Sequence, residues 1–269
     1  MDINLVRKFD PIAPQQNHWK STFWTPLATV LLALLAWQAL AYFSGLPEFI
    51  LPAPLLVWQR FLGALADGSL MQNTLATLQE VLLGLLAGTI FATLIGYSIA
   101  KSRLFEQLAS PFLVASQAVP VVAIAPLLMI WFGPGLFSKA LICGLIVFFP
   151  VLVNIVVGLR AVPRALGELM RSLRASRWQT LRYLEIPAAL PVFLGGLRIG
   201  ATLSVIGAVV GELVGADEGL GFLINVARGQ YDTAMVFVAV FTLVALALSL
   251  YGVIILLEKR FIGWQDTQR

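Results

Sequence analysis

Long apolar stretches alternate with short polar ones along this chain, and the lengths of the stretches carry the first conclusion. Charge-free runs cover residues 21–47, 81–100, 107–138, 140–159 and 233–257, and a sixth, 188–213, is broken only by Arg198 and Glu212. Each reaches about the 20 residues that cross a bilayer as a helix. In lipid a backbone must satisfy its own hydrogen bonds, so the runs predict an all-α polytopic membrane protein with six transmembrane helices. Between the first two runs, Pro47, Pro52 and Pro54 deny a continuous helix, and a short amphipathic piece at 55–65 is expected to lie along the outer surface. Polar positions concentrate at 160–190. There Pro163 suits a helix's first position, and Leu166, Leu169, Met170 and Leu173 recur at three- and four-residue spacing, one greasy face. Ser176 with Gln179 is a capping-box pattern that starts a second helix, Trp178 and Leu181 share a face, and Pro187 is expected to end it.

Departures from plain hydrophobicity mark where the runs pack or open. Gly84, Gly88, Ala92 and Gly96 form a small-residue ridge at four-residue spacing, which lets another helix approach closely. Pro111, Pro120 and Pro126 are expected to interrupt the third run, and Gly133-Pro134-Gly135 ends it. Freed backbone groups at membrane depth are tolerated inside protein or beside water, so SQAVPVVAIAPLLMIWFG, with Ser116 and Gln117 before Pro120, is a candidate pathway wall; a proline-kinked packing helix is the alternative. In the fourth run Pro150 bends the helix and Asn154 follows one turn later, as interhelical glue or as a pathway group. Gly196, Gly200, Ser204 and Ala208 make one further ridge and Gly207, Gly211 and Gly215 another; one is expected to face a second copy and the other to line the pathway. Arg198 is expensive in lipid and calls for a carboxylate or a helix-end carbonyl, and Glu212 lies too far along the same helix to supply it. Glu80 is expected to reach the headgroup region, and 215–232 reads as a glycine-punctuated outer loop.

Composition agrees with the pattern, since 59% of the 269 residues are apolar and only 12% charged. Charge distribution adds orientation. Fourteen of the 18 Lys and Arg residues fall in the N-terminus, the second and fourth connections and the tail, against Arg60, Lys139 and Arg228 on the other side. The positive-inside bias therefore places both termini and the arginine-rich connection in the cytoplasm, on a face that also suits anionic lipid. Residues 1–23 read as a cytoplasmic leader, 24–258 as the transmembrane domain with its loop at 160–187, and 259–269 as a cytoplasmic tail. Cys143 is the only cysteine and lies in an apolar run, while the only histidine, His18, sits in the leader. No metal-ligand or nucleophile spacing appears, so neither enzyme chemistry nor a metal or cofactor is expected. No phosphate-binding G-x-x-x-x-G-K-[ST] loop is present either, so the energy for any active transport must come from a partner. A helix-turn-helix for nucleic acid fits the basic pair of short helices, but membrane spans tether it at both ends; a helix pair resting on lipid stays open.

The residues of the polar connection carry a resemblance. Glu168-Leu169-Met170, three residues, Arg174, nine residues and Leu184-Glu185-Ile186-Pro187 resemble the EAA loop of the inner-membrane subunits of binding-protein-dependent ABC importers, whose pattern is E-A-A, three residues, G, nine residues, I-x-L-P. The segment LPVFLGGLRIGATLSVIGAVVGELVGADEGLGFLI and the terminal LEKRFIGW are further similar to the branch serving sulfonates, taurine, nitrate and pyrimidine or flavin vitamin precursors. The resemblance covers about residues 50–265 and implies a type I importer permease fold in a bacterial inner membrane. It also implies two cytoplasmic ATPase subunits, a second permease copy and a periplasmic or lipid-anchored binding protein. Glu168, Leu169, Met170, Leu173, Arg174 and Pro187 would then form the ATPase-coupling element, and Gln117, Pro120, Pro126, Asn154 and Ser204 are the pathway candidates. Two positions depart from the pattern. Leu169-Met170 replace the alanine pair, and Arg174 stands at the glycine, where a left-handed turn would cost roughly 1–2 kcal/mol and an acidic partner on the docked subunit is expected. A secondary transporter working without an ATPase is the alternative class, but it calls for paired broken helices in inverted repeats, and only one proline-broken span is seen.

Overall fold

The computed structural model describes residues 24–118 and 120–262, with the side chains of 24–27, 112, 114 and 116–118 outside that description. The leader at 1–23, His18 included, and the tail beyond 262 therefore lie outside the described residues. The chain forms two compact units, Met1–Leu46 and Pro47–Arg269. The first carries helix α1 (Trp24–Phe43), an apolar stretch rich in Leu and Ala.

The second unit is built on three long helices, α3 (Ser69–Lys101), α6 (Leu136–Arg160) and α9 (Ile186–Gly215). Helix α6 lies between the other two, and glycine sets the approach on both sides. A Cβ at Gly88 of α3 would stand 2.6 Å from the Gly144 carbonyl oxygen of α6, and one at Gly84 would stand 2.7 Å from the Ala140 carbonyl oxygen. From α9, a Cβ at Gly207 would stand 2.9 Å from the Cys143 Cα, and one at Gly200 3.1 Å from Val147. The ridge expected on α3 is thus a packing ridge. Those on α9 differ from expectation, because Gly196, Gly200, Gly207 and Gly211 press on α6 within the chain instead of facing a second copy or a pathway. Around this seam Ala92, Ile99, Val147, Val151, Leu152 and Ile155 form an apolar cluster.

Helix α11 (Thr233–Ile262) packs on α9, and α2 (Pro54–Ala66), the expected amphipathic piece with Pro54 in its first turn, packs on α11 and α3. An ion pair of 2.7 Å from Arg60 to Asp232 fastens α2 to the start of α11. Among the described residues four helices are long and apolar enough to cross a membrane: Ser69–Lys101, Leu136–Arg160, Arg177–Gly215 and Thr233–Ile262.

Three proline expectations are corrected. The third run is two helices, α4 (Arg103–Ala118) and α5 (Val121–Phe132), divided only at 119–120, while Pro111 and Pro126 sit inside them. Pro187 does not end a helix either. The chain runs helically from α8 (Arg177–Thr180) through a π-helical segment, Leu181–Glu185, into α9. There the Ile186 N–H donates to the Leu181 carbonyl, and the widened turn keeps the proline ring off the carbonyl that an α-register would press against it. Lastly, the stretch expected to be an outer loop contains helix α10 (Leu220–Gly229), with Leu220, Gly221 and Ala227 buried.

Replacing Gly88 with Ala should destabilise the α3–α6 seam by about 1–3 kcal/mol. Gly252→Ala, where nothing lies within 4 Å of the added carbon, should be neutral or stabilise α11 by up to about 1 kcal/mol. Reversible unfolding in detergent micelles checks the contrast, and equal effects would refute the close approach.

Candidate functional site

The polar connection folds as an elbow between α6 and α9. After Pro163 in extended conformation comes α7 (Arg164–Ser172), none of whose residues is buried. Leu166 and Leu169 stand exposed on it, as does Leu173 just past its end at 69%, a face with no cover from within the chain. Glu168 is exposed beside them, and Met170 is half-buried.

The helix ends in a Schellman turn: the Ala175 N–H donates to the Met170 carbonyl and the Arg174 N–H to the Arg171 carbonyl, both at 2.9 Å. Arg174 holds the left-handed position of that turn with φ of 53°. The helix-ending geometry that favours glycine is therefore present with an arginine in it. The second helix begins with the expected capping box, in which the Gln179 N–H donates to Ser176 Oγ and the Ser176 N–H to Gln179 Oε1. Trp178 and Tyr183 are exposed. At the far root Glu185 is buried and paired with Lys101.

The pathway candidates are not gathered into one site. Pro120 is exposed and caps the start of α5, Pro126 is exposed within it, and the side chain of Gln117 lies outside the described residues. Asn154 is half-buried on α6, its Nδ2 donates to the Pro150 carbonyl at 2.8 Å, and it occupies the space that a Cβ on Gly196 would need. Ser204 is fully buried in the α6–α9 seam and donates to the Ala201 carbonyl at 2.7 Å. It lies about 12 Å along α9 from the Asn154–Gly196 contact. A largely apolar cavity of about 540 Å³ opens at the elbow end, between Leu94 and Tyr97 of α3, Ile155 and Leu159 of α6, and Ile186 and Phe193 of α9.

The opposite end holds a buried polar cluster that sequence reasoning did not assemble. Glu80 and Lys139, both nearly inaccessible, form an ion pair between α3 and α6, which corrects the expectation that Glu80 reaches headgroups. Burying the pair is tolerable because each charge meets the other; removal of one partner would strand the second. Beside it, three successive N–H groups at the start of α10 are capped by side chains from other helices. Gly219 donates to Asn73 Oδ1 at 2.8 Å, Leu220 to Thr77 Oγ1 at 2.8 Å and Gly221 to Glu212 Oε2 at 2.5 Å. Thr77 in turn donates to Glu212 Oε1 at 2.6 Å. Helix α10 has no cap of its own: its N-cap is Gly219 at φ of 116°, and a Cβ there would collide with the Glu212 carboxylate. The acidic side chain also faces the positive end of the helix dipole. Asn73, Thr77 and Glu80 recur at helical spacing, and that was the signal available in the sequence.

Arg198, the other costly cation, meets Glu258 of α11, with the Tyr251 ring 5.4 Å from its guanidinium carbon. The required carboxylate thus comes from a neighbouring helix.

Residues 81–263 match the family described as binding-protein-dependent transport system inner membrane component. The chain is 48% identical over 257 residues to the riboflavin transport system permease protein RibX of Chloroflexus aurantiacus, covering 94% of this chain and 96% of that protein. It is 34% identical to the formylaminopyrimidine transport permease protein ThiX of Halalkalibacterium halodurans, over 90% of this chain and 96% of that one. With the taurine transport system permease protein TauC of Escherichia coli it shares 31% identity over 88% of each. Among solved structures, a chain of the inward-facing MetNI methionine ABC transporter has the same fold at a TM-score of 0.62 and 18% identity, covering 73% of this chain and 97% of that one.

Two substitutions read the two ends separately. Arg174→Gly should relieve about 1 kcal/mol of left-handed strain and slow hydrogen exchange at 171–175; faster exchange there would mean that the arginine side chain holds the turn. Thr77→Val removes the acceptor for the Leu220 N–H and should destabilise α10 docking by about 1–3 kcal/mol, seen as faster exchange at 219–222 with the elbow unchanged.

Proposed function

The chain belongs to the family of binding-protein-dependent transport system inner membrane components, and from that premise we propose that it is the membrane subunit of an ATP-driven importer for a neutral, ring-bearing vitamin precursor, riboflavin first among the candidates. Membrane permeases of ABC transporters are what its relatives are, and a permease is what this chain is. The proposal adds the direction, the solute and the assembly. Two copies, each with six spans, stand in a bacterial inner membrane with both termini and the elbow in the cytoplasm. Two ATPase subunits dock below, and a periplasmic or lipid-anchored binding protein delivers solute from the other side.

One observation carries the reading: the elbow presents Leu166, Leu169 and Leu173 outward, uncovered, on a helix flanked by arginines. A greasy helical face of that kind fits the groove of a soluble partner. In this reading Leu169, Met170 and Leu173 fill the groove, Glu168 and Arg174 meet polar groups at its rim, and Pro187 with the π-segment passes the motion into α9. The turn at Arg174 then gains an acidic contact on the docked subunit. Substrate flux follows the proline break at Pro120, with Gln117, Pro126 and Asn154 along its wall; Ser204, buried in the seam, supports the wall from behind.

Two features favour a neutral solute over a sulfonate. The basic side chains of the described spans that are not exposed, Lys139 and Arg198, are each paired with a carboxylate, Glu80 and Glu258. The cavity at the elbow end is walled almost wholly by apolar groups and falls in the size range of small-molecule sites. The relatives named for riboflavin and formylaminopyrimidine transport are also more similar to this chain than the one named for taurine.

Uptake in cells lacking other flavin importers tests it. The chain expressed with its ATPase and binding protein should accumulate labelled riboflavin in an ATP-dependent manner and leave taurine outside. Uptake by the chain alone would establish a secondary carrier instead. A cysteine at Leu169 should crosslink to the ATPase, with buried Cys143 silent as the internal control.

A further inference from the structure

Both roots of the elbow are tied by charge to one short turn. Helix α3 ends at Lys101 and α4 starts at Arg103, so Ser102 alone separates them. Helical bonds run up to Ser102 from both sides, its N–H donating to the Ser98 carbonyl at 3.2 Å and its carbonyl accepting from the Glu106 N–H at 3.0 Å. At one side of it Lys101 pairs with Glu185, the last residue of the π-segment. At the other, Glu106 pairs at 2.8 Å with Arg160, the last residue of α6. The entry and exit of the elbow therefore each hold the same turn.

Two ties remove the swivel that a single one would leave. Glu185 is the better protected, with 9% of its side chain exposed and its second oxygen without a partner, so Lys101 is its counterion. The Tyr97 ring, 5.7 Å from the Lys101 ammonium, holds that side chain in place.

What the turn carries matters equally. Helix α4 follows it directly, and none of its described side chains is buried; Ala109 and Leu113 only lean on the cluster around Leu152. Helix α5, beyond the break at 119–120, is anchored instead, with Ala125, Leu128 and Met129 buried against Ile142 of α6. The helix fastened to the elbow is loosely held by the core, and the helix past the break is firmly held.

We propose that the α3–α4 turn is a charge-clamped crossbar: Lys101–Glu185 holds the end of α3, and Glu106–Arg160 the start of α4, to the two roots of the elbow, so that elbow and α4 move as one body hinged at Pro120. Lys101, Glu106, Arg160 and Glu185 are positioning residues for transport. The inference rests on the elbow being the ATPase-docking element.

Spin labels test it without knowledge of the solute. In the assembled complex with its ATPase, labels at Ser172 and Leu108 report elbow against α4, and labels at Ser172 and Val253 report elbow against α11. Labelled chains are diluted with unlabelled ones so that only intrachain distances are read. Adding ATP with vanadate, which traps ADP and vanadate after hydrolysis, should shift the Ser172–Val253 distance and leave Ser172–Leu108 unchanged. Glu106→Gln and Lys101→Met should each make the Ser172–Leu108 distance respond to nucleotide, and Glu106→Arg with Arg160→Glu, a swap in a half-exposed pair that leaves the core untouched, should restore its constancy. A Ser172–Leu108 distance that shifts in the unaltered protein, that stays constant in both single variants, or that the swap does not restore overturns the clamp alone, as does a static Ser172–Val253 distance with the ATPase bound. A complex that captures no ATPase overturns the docking reading and the clamp together.

Discussion

The structure depends on how closely α6 approaches its two neighbours. Helices in lipid gain nothing from burying apolar side chains against each other, because the tails are equally apolar; they hold together by contact between atoms and by the few polar groups they can share. Glycine at Gly84 and Gly88 on one flank, and at Gly200 and Gly207 on the other, brings backbone against backbone and makes α6 the shared wall of two interfaces. Two of the buried polar contacts follow from that wall. Lys139 reaches Glu80 because α3 and α6 are close, and α9 brings Glu212 to Thr77 on the same account.

The rigidity of that three-helix slab sets off the parts that are not packed. The elbow shows an uncovered apolar face, and α4 has no buried side chain among those described. A transporter needs both kinds of region: a body that keeps its shape and appendages whose position can be biased from outside. Burial shows the division, since buried glycines and valines line α3, α6 and α9 where they meet, whereas no residue of α7 is buried.

How much of this was legible beforehand differed by feature. The apolar runs, the α3 glycine ridge and the capping box at Ser176 are local patterns, and local patterns survive into structure. The left-handed turn was legible only through the resemblance to the EAA pattern, whose glycine position is held here by Arg174. Prolines misled, because a proline's effect depends on the hydrogen-bond register around it: Pro111 and Pro126 are absorbed within helices, and Pro187 is accommodated by a π-segment that no residue type announces. Helix α10 was hidden for another reason. Its glycines read as loop punctuation, whereas Gly219 and Gly221 are small because the Glu212 carboxylate occupies the space beside them. Long-range partnerships such as Lys101 with Glu185 were out of reach, since nothing local pairs residues 84 positions apart.

Helix α10 borrows its cap from α3 and α9, and this limits how that end of the molecule can part. Were α10 to slide away by itself, three backbone amides would lose their acceptors at once, and the Glu212 carboxylate would keep only its bond from Thr77. The short helix must therefore travel as cargo on its two hosts, or water must follow it in. Parting at that end has no dry halfway state, because the amides are either capped or hydrated.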